Sequence, residues 1–246
     1  MVKLRASTDY LEHERALRDS QASNYEQFIS EYQHLAEWQA YSKIIAGWSG
    51  TIADIGCGTG RFTRQLVAPD RRIFAYDFSL KSLDIARRMS PSEITFALAD
   101  VRFLPLKSST VEHVISTQVY EHLIEPSDTQ KYFDEIARVL KPGATALVSG
   151  YAYSFLDLLL GRKLATRGSG IRFVRYSVSE LRQFLCASGL RLVAHKKIIV
   201  FTRYPIDRLA KWITATKLAD FDRWFSPIFG NLWGALTVLV VQKTSG

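Results

Sequence analysis

The stretch TIADIGCGTG, residues 51–60, decides the fold. Residues 51–55 are a short apolar run of strand length, and they end on three closely spaced glycines. Glycine lets the backbone turn sharply and admits a ligand where a Cβ would stand. A helix is expected over residues 61–66, whose free N–H groups and positive dipole end would suit a carboxylate or a phosphate. A dinucleotide fingerprint would need a third glycine where Arg61 stands. Asp77 follows Gly56 at the spacing of about 20 residues that such folds use for a ribose-binding acid. At the end of a second strand, its carboxylate can accept two hydrogen bonds from a ribose diol. A nucleoside therefore fits better than a pyrophosphate.

Working outward, apolar runs alternate with helical patterns. Strands are expected at residues 72–76, 94–98, 111–117, 144–149, 190–199 and 235–242. Helices are expected at 80–89, at 127–140 and, between Ser177 or Ser179 and Gly189, at 177–189. Lys141-Pro142-Gly143 reads as the turn that stops the helix at 140. Strands alternating with helices imply βαβ units and a parallel sheet, whose ligands lie beyond the carboxyl ends of the strands. Upstream, residues from Tyr25 to Ile45 carry an apolar stripe at helical spacing, read as packing on a core. No repeat or linker divides the chain. It reads as one domain over 1–246: N-terminal helices at 1–50, a ligand-binding core at 51–150, and an acceptor-side region at 151–246 with an aromatic insertion near 203–229.

Five segments carry a family likeness. Residues 54–60 resemble motif I of the class I S-adenosylmethionine-dependent methyltransferases. Tyr76-Asp77-Phe78-Ser79 resembles their acidic second-strand motif, and Ala99-Asp100-Val101 their adenine-reading segment. Residues 114–123, with Gln118 and Glu121-His122-Leu123, are similar to the fourth-strand segment. FDEIARVLKPG, residues 133–143, resembles the helix and turn before the fifth strand. The flavour is that of the small-molecule and quinone-biosynthesis subgroup. The resemblance implies a Rossmann-like α/β fold: a doubly wound, mostly parallel seven-stranded sheet with an antiparallel final strand. It implies S-adenosylmethionine as cofactor and S-adenosylhomocysteine as product.

The resemblance also implies roles. Backbone groups of Gly56, Cys57, Gly58, Thr59 and Gly60 would line the methionine part. Asp54 would hold the loop or meet the methionine amine, and the Gln118 carbonyl would lie near that amine. Asp77 would bind the ribose hydroxyls and Phe78 would cover the adenine. Asp100 and the Val101 N–H would read the adenine edge. Glu112-His113 stands where the family often has aspartate, which reads as a structural variation.

Candidates on the acceptor side follow from position. His122 is either a general base or a cap on the following turn. Tyr25, Tyr120, Tyr151 and Tyr153 either line the acceptor pocket or pack. Arg175 clusters with Arg162, Lys163, Arg167 and Arg172, which points to an anionic acceptor or to a solvated basic loop. Trp212, Phe221, Trp224, Phe225, Phe229 and Trp233 form a lid, a peripheral membrane contact, or plain packing.

The chain has 246 residues and a formal net charge of +8. That charge is spread along the chain. It admits nucleic acid, an anionic surface or an acidic substrate, but it is equally the charge of a soluble surface. The segment after the fourth strand, Gln118-Val119-Tyr120-Glu121, lacks the Asn/Asp-Pro-Pro-aromatic motif of base-nitrogen methylases, and no cysteine stands there for pyrimidine C5 chemistry. Nucleic acid is therefore not the expected partner. Cys57 and Cys186, the two cysteines of the chain, build neither a disulfide framework nor a metal site. With a charged, polar stretch over residues 1–20, they point to the cytoplasm. The expected activity is methyl transfer to an oxygen, carbon or nitrogen of a small, anionic or partly apolar acceptor. The alternatives are an inactive cofactor-binding scaffold and an RNA methylase.

Overall fold

The computed structural model describes residues 2–153, 157, 160–161, 163–166, 170–199 and 213–245. Five strands run parallel: β1 (Gly50–Ile55), β2 (Arg71–Asp77), β3 (Ile94–Leu98), β4 (Val111–Thr117) and β5 (Leu140–Tyr151), and α-helices separate β2 from β3 and β4 from β5. A two-stranded ribbon, β6 (Leu164–Thr166) and β7 (Arg172–Val174), follows, and then β8 (Leu190–Ile198) and β9 (Leu236–Lys243). The main sheet has seven strands in the order β3-β2-β1-β4-β5-β9-β8. Strand β9 runs antiparallel to both of its neighbours.

Period-two alternation divides the core between the two faces of this sheet. Ala53, Val114, Ala146, Val148, Leu239 and Val241 point to one face. There they meet Phe133 and Ile136 of helix α4 (Pro126–Val139) and Leu181 and Leu185 of α5 (Val178–Ala187). Ile52, Ile115, Leu147, Leu236 and Val238 point to the other face. They meet α2 (Glu31–Ile45) and α6 (Ala215–Trp233). Helix α5 opens with the expected capping box, in which Ser177 and Glu180 satisfy each other's backbone N–H. Helices α1 (Val2–Gln21) and α3 (Leu80–Met89) complete the set.

Three local expectations are corrected. The N-terminal stripe is not one continuous helix: a 3-10 stretch, Ala22–Phe28, is followed by Ser30, whose side chain accepts from Gln33 N–H and starts α2. Pro142 and Gly143 lie inside β5. The register slips between Val111↔Leu140 and His113↔Thr145, so residues 141–144 bulge from the strand. Residues 61–66 form only a 3-10 turn, Thr63–Leu66, and no α-helix. Among the described residues, no helix is long and apolar enough to cross a membrane.

Candidate functional site

Strand order reverses between β1 and β4, and a crevice opens there beyond the carboxyl ends of the strands. Its floor comes from Gly56 and Gly58 after β1, Asp77 and Phe78 at β2, and Asp100 and Val101 after β3. Thr117 and Gln118 close the β4 side. Helix α1 roofs the crevice with Leu11, Glu14, Arg15 and Arg18. The crevice opens to solvent at its mouth, and the space between these residues, that mouth included, is about 940 Å³.

The glycine bend explains the floor. The backbone φ angles are 77° at Gly56, 55° at Gly58 and 81° at Gly60. All three are positive, in the left-handed region that a side chain resists. Gly56 and Cys57 both donate backbone N–H to the Tyr76 carbonyl, at 2.7 and 2.9 Å. A Cβ on Gly56 would collide with Val119 Cγ2, whereas one on Gly58 would meet nothing within 4 Å. The first glycine is thus required by packing and the second leaves backbone bare to the crevice. With no α-helix after the bend, no macrodipole is aimed at the ligand; the floor's polar groups are those of the bend and the strand tips.

Two buried carboxylates hold this bend from opposite sides. Asp77 accepts from Gly58 N–H at 2.8 Å and from Ser79 N–H at 2.9 Å. Burial pushes its carboxyl up, against the pull of those N–H groups. Asp54 accepts from the Thr63 hydroxyl at 2.6 Å and does not line the crevice. Burial pushes its carboxyl up to about 7. The Thr63 contact ties Asp54 to the segment that follows the bend.

Asp100 lines the crevice and pairs with Arg102 at 2.6 Å. Burial raises its carboxyl, but the Arg102 hydrogen bonds outweigh burial and hold it below its ordinary value. Arg102 also reaches Asp128 at 2.9 Å. Phe78 lies 6.0 Å from the Arg15 guanidinium. Gln118 has a positive φ, 57°, and turns its amide away to Glu37, at 2.6 Å. Glu37 is fully buried and also takes Arg61, at 2.6 Å.

His122 lines the crevice, and its Nδ1 stands 3.0 Å from the Arg172 carbonyl. A carbonyl only accepts, so Nδ1 carries the proton and the neutral ring's lone pair is on Nε2. Glu14 Oε1 is 3.9 Å from the same Nδ1 and receives Arg18 at 3.0 Å.

Other expected residues lie elsewhere. Cys57, Thr59 and Gly60 form the back of the bend; Thr59 donates to Glu26 at 2.8 Å, and burial drives the Cys57 thiol well above its ordinary value. Tyr25 does line the crevice. Tyr120 does not: it is fully buried in the core near Phe133 and Tyr176. Tyr151 packs on Phe173 with ring centroids 5.0 Å apart, and its hydroxyl is 3.5 Å from Gln118 Oε1. The Tyr153 carbonyl receives Lys197 at 2.8 Å. Arg175 pairs with Asp157 at 3.6 Å and lies over Phe173. None of these last three lines the crevice.

Arg162, Arg167, Trp212, residues 203–212 and the side chain of Trp233 lie outside the described residues. At the opposite end of the sheet, Glu112 accepts from Thr51 N–H at 2.9 Å and His113 stacks on Trp48. That departure from the family pattern therefore stands away from the crevice. No cluster suited to a metal ion occurs among the described residues.

Sequence reasoning missed Glu37, Arg102 and the α1 roof. Glu37 is a charge set into an apolar helical stripe, and Arg102 follows Asp100 by two positions; both are visible signals. Helix α1 carries none, because its pattern is mostly polar.

Comparison with known proteins bears on the family and the fold. A family model described as a methyltransferase domain matches residues 53–148. The chain is 35% identical over 98 residues to the biotin biosynthesis bifunctional protein BioHC of Cellvibrio japonicus, covering 40% of this chain but only 19% of that protein. It is 30% identical over 182 residues to demethylmenaquinone methyltransferase of Clavibacter sepedonicus, covering 65% of this chain and 73% of that one. A crystal structure of Burkholderia thailandensis 1,6-didemethyltoxoflavin-N1-methyltransferase, with S-adenosylhomocysteine bound, shares the fold. Its TM-score is 0.66 at 15% identity, over 97% of this chain and 90% of that one.

Proposed function

Because the chain belongs to the class I S-adenosylmethionine-dependent methyltransferases, we propose that it methylates an oxygen, carbon or nitrogen of a small, partly apolar acceptor entering beside His122. The observation that carries this reading is the crevice at the strand-order reversal, where the Asp77 carboxylate and the bare Gly56–Gly58 backbone face Gln118.

The residues present fit the cofactor. A carboxylate at the tip of β2 matches a ribose diol, and Phe78 and Val101 offer apolar surface to an adenine. Asp100 has an acceptor edge for an amino group. Arg15 and Arg18 line the same crevice and match a carboxylate. When bound, S-adenosylmethionine supplies a methyl group already activated on sulfur, for in-line displacement.

The protein's part is alignment and exclusion of water. Helix α1 covers the crevice, and Leu11, Val119 and Leu123 make its acceptor side apolar. Where the acceptor is a hydroxyl, His122 takes its proton at Nε2, with Nδ1–H held by the Arg172 carbonyl. Relatives named for demethylmenaquinone and 1,6-didemethyltoxoflavin support a small-molecule acceptor.

Calorimetric titration with S-adenosylmethionine tests the cofactor, and acceptor-dependent release of S-adenosylhomocysteine tests the transfer. Cofactor binding without release under any small-molecule panel would leave an inactive scaffold as the better reading. Retention of RNA at low salt, with release of product on RNA alone, would move the acceptor to nucleic acid. For His122, turnover of His122→Ala matching wild type at every pH removes it as the base.

A further inference from the structure

Among the described residues, helix α6 buries one face and exposes an apolar stripe on the other. Its inner face is buried: Leu218 and Ala219 join the core, and Asp222 receives Tyr32 OH at 3.0 Å and Ile199 N–H at 3.1 Å. Its outer face carries Phe221, Trp224 and Ile228, which are 49%, 71% and 70% exposed. Their spacing of three and four positions puts them on one stripe. Phe225 lies tilted beside Phe221, with centroids 6.2 Å apart.

Charge is divided the same way. Lys217, in line with the stripe one turn before Phe221, and Arg223, on its flank, are both exposed. Of the helix's acids, Asp222 is buried as above, and Asp220, half-buried beside the stripe, accepts from the Gln39 amide at 3.3 Å and keeps its charge. The fully exposed charges of the helix are thus two cations beside an aromatic stripe, on a chain of net charge +8.

We propose that this face of α6 seats the protein on an anionic lipid surface. Trp224, Phe221 and Ile228 enter the headgroup boundary, and Lys217 and Arg223 meet lipid phosphates. Charge selects this occupant over a second copy of the chain. A second copy carries the same net charge of +8 and repels this one, whereas an anionic bilayer attracts it.

The test uses the full chain and sedimentation with phosphatidylcholine vesicles, with and without one part in four of phosphatidylglycerol. Anionic vesicles are expected to retain on the order of tenfold more protein at low salt. Trp224→Ser with Ile228→Ser removes two largely exposed side chains, so thermal unfolding and cofactor titration should stay at wild-type values while vesicle binding falls about tenfold. Equal retention on neutral and anionic vesicles, or undiminished binding by the double variant, overturns the proposal. So does a dimer in sedimentation velocity that the double variant abolishes while neither protein binds vesicles. None of these outcomes bears on the methyltransferase reading.

Discussion

The Asp77 carboxylate and the Gly58 N–H, 2.8 Å apart, fasten the tip of β2 to the bend that follows β1. The group expected to hold the ribose is thus also the group that shapes the floor beneath the ligand. Ligand affinity and loop geometry rest on one buried side chain.

Asp77→Ala leaves the Gly58 and Ser79 N–H groups without their acceptor as well as removing the ribose contact. Hydrogen bonds to a charged group contribute about 1.5–3 kcal/mol each. A fall in S-adenosylmethionine affinity on the order of a hundredfold is therefore expected, with a lower Tm. Asp77→Asn keeps one acceptor oxygen and should recover part of the stability but little of the affinity. Calorimetry and thermal unfolding decide; equal affinity in Asp77→Ala and wild type would reject the assignment.

Gly56→Ala is expected to destabilise by two separable routes. The added Cβ collides with Val119 Cγ2, and φ stays at 77°. Overpacking costs about 1–3 kcal/mol, and the left-handed conformation adds about 1–2 kcal/mol. Adding Val119→Ala relieves the first and not the second, so the double variant should regain part of the lost stability. Strict additivity in a double-mutant cycle from denaturant melts would show that the two side chains do not collide.

The sheet and its ligand edge were legible because period-two apolar runs, glycine spacing and acids at strand ends are local signals. Residues 80–89, 94–98 and 111–117 fall where the pattern puts them. What was not legible depended on contacts remote in sequence. The mostly polar α1 roofs the crevice through Arg15 and Arg18, yet nothing in its pattern marks that side. Tyr120 reads equally as a pocket tyrosine or as packing, and only the 3-10 turn Tyr120–His122 decides it, with Tyr120 in the core and His122 lining the crevice. The expected helix after the bend gave way to a 3-10 turn in which Thr63 is tied to Asp54.

That tie has a pH signature. The Asp54 carboxyl is raised to about 7 when folded, against about 3.9 for an unfolded aspartate. Between those values the folded state keeps a proton that the unfolded chain has lost. Its contribution to stability is full below about 4 and is lost as pH rises through about 7. Asp54→Asn keeps an acceptor for Thr63 and cannot ionise. It should therefore compare more favourably with wild type at pH 8 than at pH 5, read as the difference in Tm. The opposite trend would mean that Asp54 is ionised in the folded protein across this range.

Arg102 carries the opposite sign. Burial raises Asp100, but the Arg102 fork more than offsets it, so the folded carboxyl lies below its unfolded value. The pair's contribution is present above the unfolded value and is lost as pH falls through the folded one. Wild-type affinity for S-adenosylmethionine should accordingly vary little between pH 5 and 7 through this group. Arg102→Met removes the fork and leaves the burial, the residue-102 N–H and Arg15, so the carboxyl rises and protonates at a higher pH than in wild type. A protonated Asp100 loses acceptor capacity toward an adenine amino group. On acidification the variant's affinity should fall several-fold at a higher pH than that of wild type, as on the order of one hydrogen bond is at stake. Its Tm should fall as well, because Asp128 loses the same arginine at 2.9 Å. Parallel affinity curves for the two proteins would show that Asp100 does not read the cofactor, and the third strand's place in the site would have to be reassigned.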